Sequence, residues 1–258
     1  MSLKVGIVGA AGYAGAELIR LVLVHPEFEL VAITSNADAG QPLSAVYPSF
    51  AGVSDLVFTT HDAPELKSCD AVFLAVPHTA AMAQVPALLA SGVSCFDLSA
   101  EYRLNDASVF ETWYAAEHTS PELLKTRAFG LPELFCRDLE TAASDHADGK
   151  PVLDACAGCY PTATSLAAAP AVRAGWVAQS GPVIVDAISG VTGAGKSCNA
   201  RTHFCSADEN LEAYGVGKHR HTPEIEQILG LTDRVVFTPH LACLLYTSDA
   251  ADDRISVD

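Results

Sequence analysis

The sequence predicts an α/β fold whose first part is a doubly wound parallel sheet. Three observations carry that prediction. Four short runs of strand formers alternate with helical patterns between Leu3 and Leu98. A glycine-rich turn joins the first run to the first helix, and the pattern restarts at Val152 in a run that ends on a Gly-Cys turn. Alternating β and α units imply parallel strands with helices on the sheet faces and ligands beyond the strand C-terminal ends. The restart divides the chain into a first domain, 1–151, and a second that begins at 152, and 258 residues are ample for both.

Leu3 to Val8 is the first run. It leads into Gly9, Gly12 and Gly15 and then into an apolar helical pattern, Leu18, Leu21 and Val22, which stops at His25-Pro26. A Gly-x-x-Gly-x-x-Gly turn between strand and helix is a variant of the dinucleotide fingerprint of Rossmann-type sheets. It permits a tight turn and lets a pyrophosphate approach the helix N-terminus. Gly9, Gly12, Tyr13, Ala14 and Gly15 are the cofactor-binding candidates there; the alternative is an ordinary glycine-rich turn.

The second run, Phe28 to Thr34, ends in Ser35-Asn36. An acid in that place would hold the ribose 2′-hydroxyl of NAD and repel a 2′-phosphate. Small hydrogen-bonding residues point instead to NADP, with Ser35 as the contact. Cys69 to Val76 is the third run, stopped by Pro77-His78. A helical stretch from Thr79 to Ser91 follows, ended by Gly92, and Val93 to Leu98 is the fourth run. Pro77 and the stretch from Ser99 to Arg103 fall beyond strand ends. That makes Pro77 a candidate cofactor contact, and Arg103 either an anion contact or a solvated surface cation. Residues 104–151 are mixed, with turn signals at Asn105-Asp106, Ser120-Pro121, Gly130 to Pro132 and Asp148-Gly149.

In the second domain, Val152 to Ala155 precedes Ala157-Gly158-Cys159-Tyr160-Pro161 and a small-residue helical segment from Thr162 to about Ala174. Cys159 thus lies at a strand-to-helix turn, where open N–H groups and the positive end of the helix favour a thiolate. Gly158 lets the backbone approach a substrate, and Pro161 suits a first helical turn. A buried structural thiol is the competing reading. Cys156 and Cys159 also have the spacing of a redox or zinc pair. Zinc would want a second pair, and a thioredoxin-like motif would lie nearer the domain start, so no metal is expected.

Val183 to Ser189 is another strand, and it runs into Gly190 to Ser197, which fits the phosphate-loop pattern Gly-x-x-x-x-Gly-Lys-Ser. The one clear strand after it, Arg234 to Thr238, ends in Pro239-His240 and not in the acid that would hold magnesium. A flexible substrate loop is the better reading. Further on, Gly217 to Glu224 packs His219, His221, Lys218, Arg220 and Glu224 into eight residues. An extended path would put both histidines on one side and both cations on the other. Metal ligation, a surface cluster and acid/base work stay open on this spacing.

Bulk composition narrows the field. With 15 Lys and Arg against 31 Asp and Glu the net charge is −16, which argues against nucleic acid and anionic membrane surfaces as partners. An anionic substrate must then be drawn in by a local cluster of cations. No apolar run approaches a membrane span. The eight cysteines show no disulfide rhythm, and the strand pattern begins within three residues of Met1. Both features fit a reducing cytoplasm with free thiols.

Taken together and in order, these stretches resemble the N-acetyl-γ-glutamyl-phosphate reductases, NADP-dependent enzymes of arginine biosynthesis related to aspartate-semialdehyde dehydrogenases. The residues that carry the resemblance are Gly9 to Gly15, Phe96 to Ser99 with Tyr102-Arg103, Gly158 to Thr162, Ser189 to Gly195, His219 to Glu224 and Phe237 to Leu241. It covers residues 1 to about 241. The resemblance implies that Cys159 attacks a small acyl-phosphate substrate, that phosphate leaves, and that NADPH reduces the resulting thioester. It makes His219 the acid/base partner with His221 in reserve. It makes Arg103, Arg220, His221 and Glu224 substrate contacts, and Ser189 and Gly190 cofactor contacts at the substrate loop. A homo-oligomer is implied as well. Two alternatives remain: a dehydrogenase acting on aspartyl phosphate, whose cysteine sits in an Asn-Cys context, and a nucleotide-binding regulator without catalysis. From Ala242 the chain departs from the family pattern. That departure implies a partial α+β catalytic domain over 152–241, a non-family tail over 242–258, and an unpaired sheet edge prone to aggregation.

Overall fold

Each of the four runs before residue 98 is a strand in the computed structural model, which describes residues 2–243. β1 (Leu3–Val8) is followed by α1 (Tyr13–Val24) and β2 (Phe28–Thr34), then by a short α2 (Leu43–Val46) and β3 (Ala71–Leu74). The helix expected over 79–91 is a 3-10 turn, Ala81–Ala83, and a short α3 (Val85–Ala90). Pro86 lacks an N–H and suits only the start of a helix, so the regular part begins at Val85. β4 (Ser94–Asp97) closes this stretch.

The mixed region 104–151 contains more structure than its sequence showed. It holds α4 (Ala107–Tyr114), β5 (Ala128–Gly130) and α5 (Pro132–Ala147), a 16-residue helix with a non-helical Phe135 in its first turn. β6 (Leu153–Cys156) then enters the same sheet. The six strands are all parallel, in the order β2-β1-β3-β4-β6-β5. The chain steps outward from β1 to β2, returns to its other side for β3, and inserts β6 between β4 and β5. Ile7 pairs with Ile33 on one side and Phe73 on the other, and a core of Val5, Ile7, Ile19, Ile33, Leu43 and Phe58 is fully buried around it. This is the doubly wound Rossmann-type sheet.

Two units result. The first is Met1–Ala107 with Ala116–Cys156, and the second is Ser108–Ala115 with Ala157–Asp258. The division therefore falls after Cys156 and not after residue 151, because β6 pairs with Cys95–Asp97 of β4 and with β5. Within the first unit's span, the residues of α4 from Ser108 on belong to the second unit.

The second unit contains α6 (Cys159–Arg173), β7 (Val183–Gly190), α7 (Phe204–Ala207), β8 (Leu211–Ala213), α8 (Thr222–Leu229) and β9 (Val235–Ala242). Its sheet has the order β7-β9-β8, with β7 parallel and β8 antiparallel to β9. β9 runs through Pro239 instead of stopping there. Pro239 accepts from Tyr214 N–H at 3.0 Å just where the β8 ladder ends at Ala213, so its missing donor leaves no gap. Among the described residues β7 and β8 are the outer strands of this sheet, and one face carries exposed Ile184, Ile188 and Val236. The tail expected from residue 242 lies, past Cys243, outside the described residues.

Candidate active site

The glycine turn divides its three glycines by task. Gly9 has φ +80°, and a Cβ on it would stand 2.3 Å from the carbonyl oxygen of Ala75, so the turns after β1 and β3 touch at this glycine. A Cβ on Gly15 would meet Gly9 O at 2.5 Å and Ala10 Cα at 2.6 Å. Gly12 is different: its Cβ would meet nothing nearer than Gly9 O at 3.5 Å. The protein itself does not need glycine there, whereas a ligand lying on the backbone does. Gly12 caps α1, Tyr13 and Ala14 are exposed in its first turn, and that turn carries no acid to oppose an anion. The residues thus fit a dinucleotide pyrophosphate. Gly9→Ala should destabilise the protein by about 2 kcal/mol or more, read from denaturant midpoints, through strain and a backbone clash. Gly12→Ala should stay within about 0.5 kcal/mol of the parent in stability. It should nevertheless weaken nicotinamide dinucleotide binding in a fluorescence titration.

Ser35 is 8% exposed beyond β2, and its hydroxyl donates to the Asp38 carboxylate at 2.7 Å. Sequence reasoning looked for an acid directly at the strand end and missed this one three residues on. Pro77 is exposed beyond β3. Beyond β4 lies a buried polar group. The Ser99 hydroxyl meets Asp97 at 2.8 Å and also Glu101, which accepts from the N–H groups of Ala81 and Ala100. Burial, then the neighbouring Glu101, pushes Asp97 up to about 6. Arg103 is 5% exposed, and its Nε donates to the carbonyl of Cys156 at 2.8 Å while Nη2 donates to that of Leu98. Neither of the sequence readings, anion contact or solvated cation, anticipates this: the guanidinium ties the ends of β4 and β6 together.

In the second unit, Cys159 is the first residue of α6 and is partly exposed, with Gly158 as the N-cap at φ −67° and ψ 157°. The strand-to-helix turn is as the sequence implies. Cys156 is the other thiol of the pair, and burial, then Asp154, pushes it up to about 12. Glu224 was expected at the substrate. It is 1% exposed in the first turn of α8, and Oε1 accepts the Gly158 N–H at 2.8 Å. The bond satisfies a main-chain donor at the start of α6, of the kind that contributes about 0.5–1.5 kcal/mol net.

The His219 to Glu224 stretch is a turn leading into α8, not an extended segment. It still gathers the two histidines, whose ring centroids are 4.9 Å apart. His219 also packs edge-on against Tyr160 at 5.7 Å, Tyr214 at 5.3 Å and Phe237 at 5.2 Å. Its Nδ1 accepts the His221 main-chain N–H at 3.2 Å. Burial, then Arg220, pulls its pKa down to about 4. Tyr214 donates to the Tyr160 hydroxyl at 3.2 Å, which donates to the His240 carbonyl at 3.0 Å. Lys218 and Arg220 are exposed, and the Arg220 guanidinium lies 5.2 Å over the Tyr114 ring of α4. Ser189 is buried at the end of β7, where its hydroxyl bonds Gly190 O and bears on Tyr160. Gly190 caps a 3-10 turn, Val191–Ala194, and no helix follows Lys196-Ser197 until Phe204, so the phosphate-loop pattern lacks the helix N-terminus it needs. The aromatic residues Tyr160, Tyr214 and Phe237 were missed because single rings spread over the chain carry no local signal.

Among the described residues no group of three or more His, Cys, Asp and Glu is placed to hold a metal, and no helix is long and apolar enough to cross a membrane. Two family models match the chain: semialdehyde dehydrogenase, NAD binding domain, over residues 4–142, and semialdehyde dehydrogenase, dimerisation domain, over 159–245. The second match runs past the departure expected at Ala242. An N-acetyl-gamma-glutamyl-phosphate reductase of Janthinobacterium sp. (strain Marseille) is 45% identical over 94% of this chain and 69% of its own length. One from Syntrophobacter fumaroxidans is 48% identical over 93% and 68%. Among solved structures, aspartate semialdehyde dehydrogenase with NADP from Candida albicans superposes with a TM-score of 0.65 over 95% of this chain and 69% of that one. At 16% identity it speaks to the fold alone. With both domains matched in order and relatives near half-identical along almost its whole length, the chain belongs to the N-acetyl-gamma-glutamyl-phosphate reductase family of the semialdehyde dehydrogenases.

Proposed function

We propose that the chain reduces N-acetyl-gamma-glutamyl phosphate to the corresponding semialdehyde, with release of phosphate, through a thioester on Cys159. The observation that carries the reading is Cys159 as first residue of α6, in the same unit as the His219 ring cluster. The Cys159 thiolate adds to the acyl carbon, the bond to phosphate breaks, and a thioester remains on Sγ. When bound, the nicotinamide dinucleotide supplies hydride to that carbon. Cleavage of the C–S bond then frees the aldehyde and restores the thiolate. Of the first-turn donors of α6, Gly158 N–H is held by Glu224 and Pro161 has none. The N–H groups of Cys159 and Tyr160 are left to receive the negative oxygen that forms on addition. His219 is the acid/base partner by family resemblance, with His221 in reserve. Arg220 offers a guanidinium to the substrate's carboxylate or phosphate.

The backbone from Gly9 to Gly15 would hold the pyrophosphate, and Ser35 with Asn36 the adenosine ribose, with NADP as the proposed form. The Ser35–Asp38 bond favours a second reading, NAD, since a carboxylate repels a 2′-phosphate. A homo-oligomer goes with the dimerisation-domain match, and a reducing cytoplasm suits the free thiols. The test is phosphate-dependent reduction of NADP by the 258-residue chain with N-acetylglutamate semialdehyde, followed by nicotinamide absorbance. Turnover with aspartate semialdehyde in its place would reassign the substrate. Tighter quenching by NADH than by NADPH would reassign the cofactor.

A further inference from the structure

We infer that His61 meets the 2′-phosphate of NADP, with the Asn36 amide as a second donor, and that it takes up a proton from solvent when it does so. The inference rests on the NADP form of the cofactor proposed above and adds the group that recognises it. The segment that carries His61 is tied to the dinucleotide turn. Thr34, at the end of β2, accepts the N–H groups of Gly9 and Ala10 at 3.1 and 2.9 Å. Thr59 lies beside it as a parallel bridge, accepting from Ser35 N–H at 2.9 Å and donating to the Ile33 carbonyl at 3.0 Å. Just beyond, His61 Nδ1 and the Thr34 hydroxyl are 2.7 Å apart, and the His61 main-chain N–H donates to Asn36 Oδ1 at 2.9 Å. The end of the second strand is where a Rossmann-type sheet receives the adenosine ribose.

These bonds decide which atoms remain for a ligand. Thr34 is fully buried, and among the described residues its hydroxyl hydrogen has His61 Nδ1 as its acceptor. Nδ1 is therefore bare, and the neutral ring carries its hydrogen on Nε2. Asn36 spends its oxygen on His61, so its exposed side chain has the NH2 donor pair left to offer.

Charge makes His61 the deciding group. From Thr34 to Asp62 the chain has no Lys or Arg, so this stretch brings no guanidinium or ammonium to a phosphate. The carboxylates bonded beside the site are Asp38, which accepts from the Ser35 hydroxyl, and Asp62, which accepts from that of Thr60. A phosphate dianion placed near them needs a positive partner, and His61 is the residue of this stretch that can become one. In the free protein burial lowers the His61 pKa, against a smaller upward pull from Asp62, so the ring is neutral at neutral pH. The bound dianion favours the imidazolium. The proton goes onto Nδ1, where the Thr34 hydroxyl turns from donor to acceptor, and Nε2–H stays with the phosphate. A 2′-hydroxyl is uncharged and draws no proton.

The test is fluorescence titration of the 258-residue protein and its variants with NADPH and NADH, without acyl phosphate. The parent should bind NADPH the tighter. His61→Ala should weaken NADPH binding by about tenfold or more, the loss of a charge-assisted hydrogen bond, and leave NADH within about twofold. Retained NADH binding shows that the variant is folded. Asn36→Ala should weaken NADPH by about threefold, and no loss there would remove Asn36 from the assignment. As pH falls from about 8.5 to 6.5, the parent's preference for NADPH over NADH should grow by about threefold or more. That of His61→Gln, which keeps a donor but not the charge, should stay flat. A preference that survives in His61→Ala, or that does not vary with pH in the parent, would overturn the inference and leave the NADP form standing. Equal losses of NADPH and NADH would overturn it too, by making His61 structural. A parent that binds NADH the tighter would overturn the NADP form itself, and this inference with it.

Discussion

Cys159→Ser is expected to lower turnover by at least about 10³-fold while dinucleotide affinity stays within about twofold of the parent. The substitution keeps the size of the side chain but replaces a thiolate-forming group by a hydroxyl that stays protonated and attacks poorly at neutral pH. No other thiol takes over. Cys156 is the nearest in sequence, and its burial holds it protonated with a pKa of about 12. The dinucleotide turn from Gly9 to Gly15 lies in the first unit and Cys159 in the second, so binding and chemistry are separable by measurement. Acyl phosphate added without dinucleotide should leave an acyl group on the Cys159 peptide of the parent and none on the variant. Parent-like turnover by Cys159→Ser would end the covalent mechanism.

Glu224→Ala is expected to lower kcat by about 10²-fold, the scale of loss that follows from misplacing a reacting group by about an ångström. Glu224 is buried, and its side chain receives the N–H of Gly158, the residue before the proposed nucleophile Cys159, at 2.8 Å. Alanine removes the acceptor and leaves that N–H to reorganise, which lets the N-cap of α6, and Cys159 with it, drift. On the proposed mechanism Glu224 is thus a positioning residue. The Gln variant separates positioning from charge, because its amide oxygen still accepts from Gly158. Glu224→Gln should recover most of the lost kcat, and the KM for dinucleotide should be unchanged in both variants. Equal losses for Ala and Gln would show that the carboxylate charge matters and not the hydrogen bond.

How far the sequence could be read depended on whether the relevant contacts are local. β1, its glycine turn and α1 lie within consecutive residues, each with its own period and punctuation, and the structure places them as the pattern requires. The same holds for Cys159 at the mouth of α6. α5 went unread because none of its 16 residues is fully buried and its few apolar positions, Leu134, Phe135 and Leu139, stand among charged and small residues. β6 was placed in the wrong unit because strand order in a parallel sheet does not follow chain order: β6 inserts beside β4 after two intervening helices. The site divides in the same way. Cys159 and His219 stand in recognisable motifs. The task of Glu224, the ring cage from Tyr160, Tyr214 and Phe237, and the acid at Asp38 arise from pairings that no local spacing encodes.

The assignment of α4 to the second unit sets an order of assembly. This helix is made before the first unit is complete, yet Ser108–Ala115 group with residues the ribosome adds only after Cys156. Tyr114, which seats the Arg220 guanidinium, must wait for the turn ahead of α8. A nascent chain that folds its units strictly in turn would therefore hold this helix over until the rest of its own unit has been made.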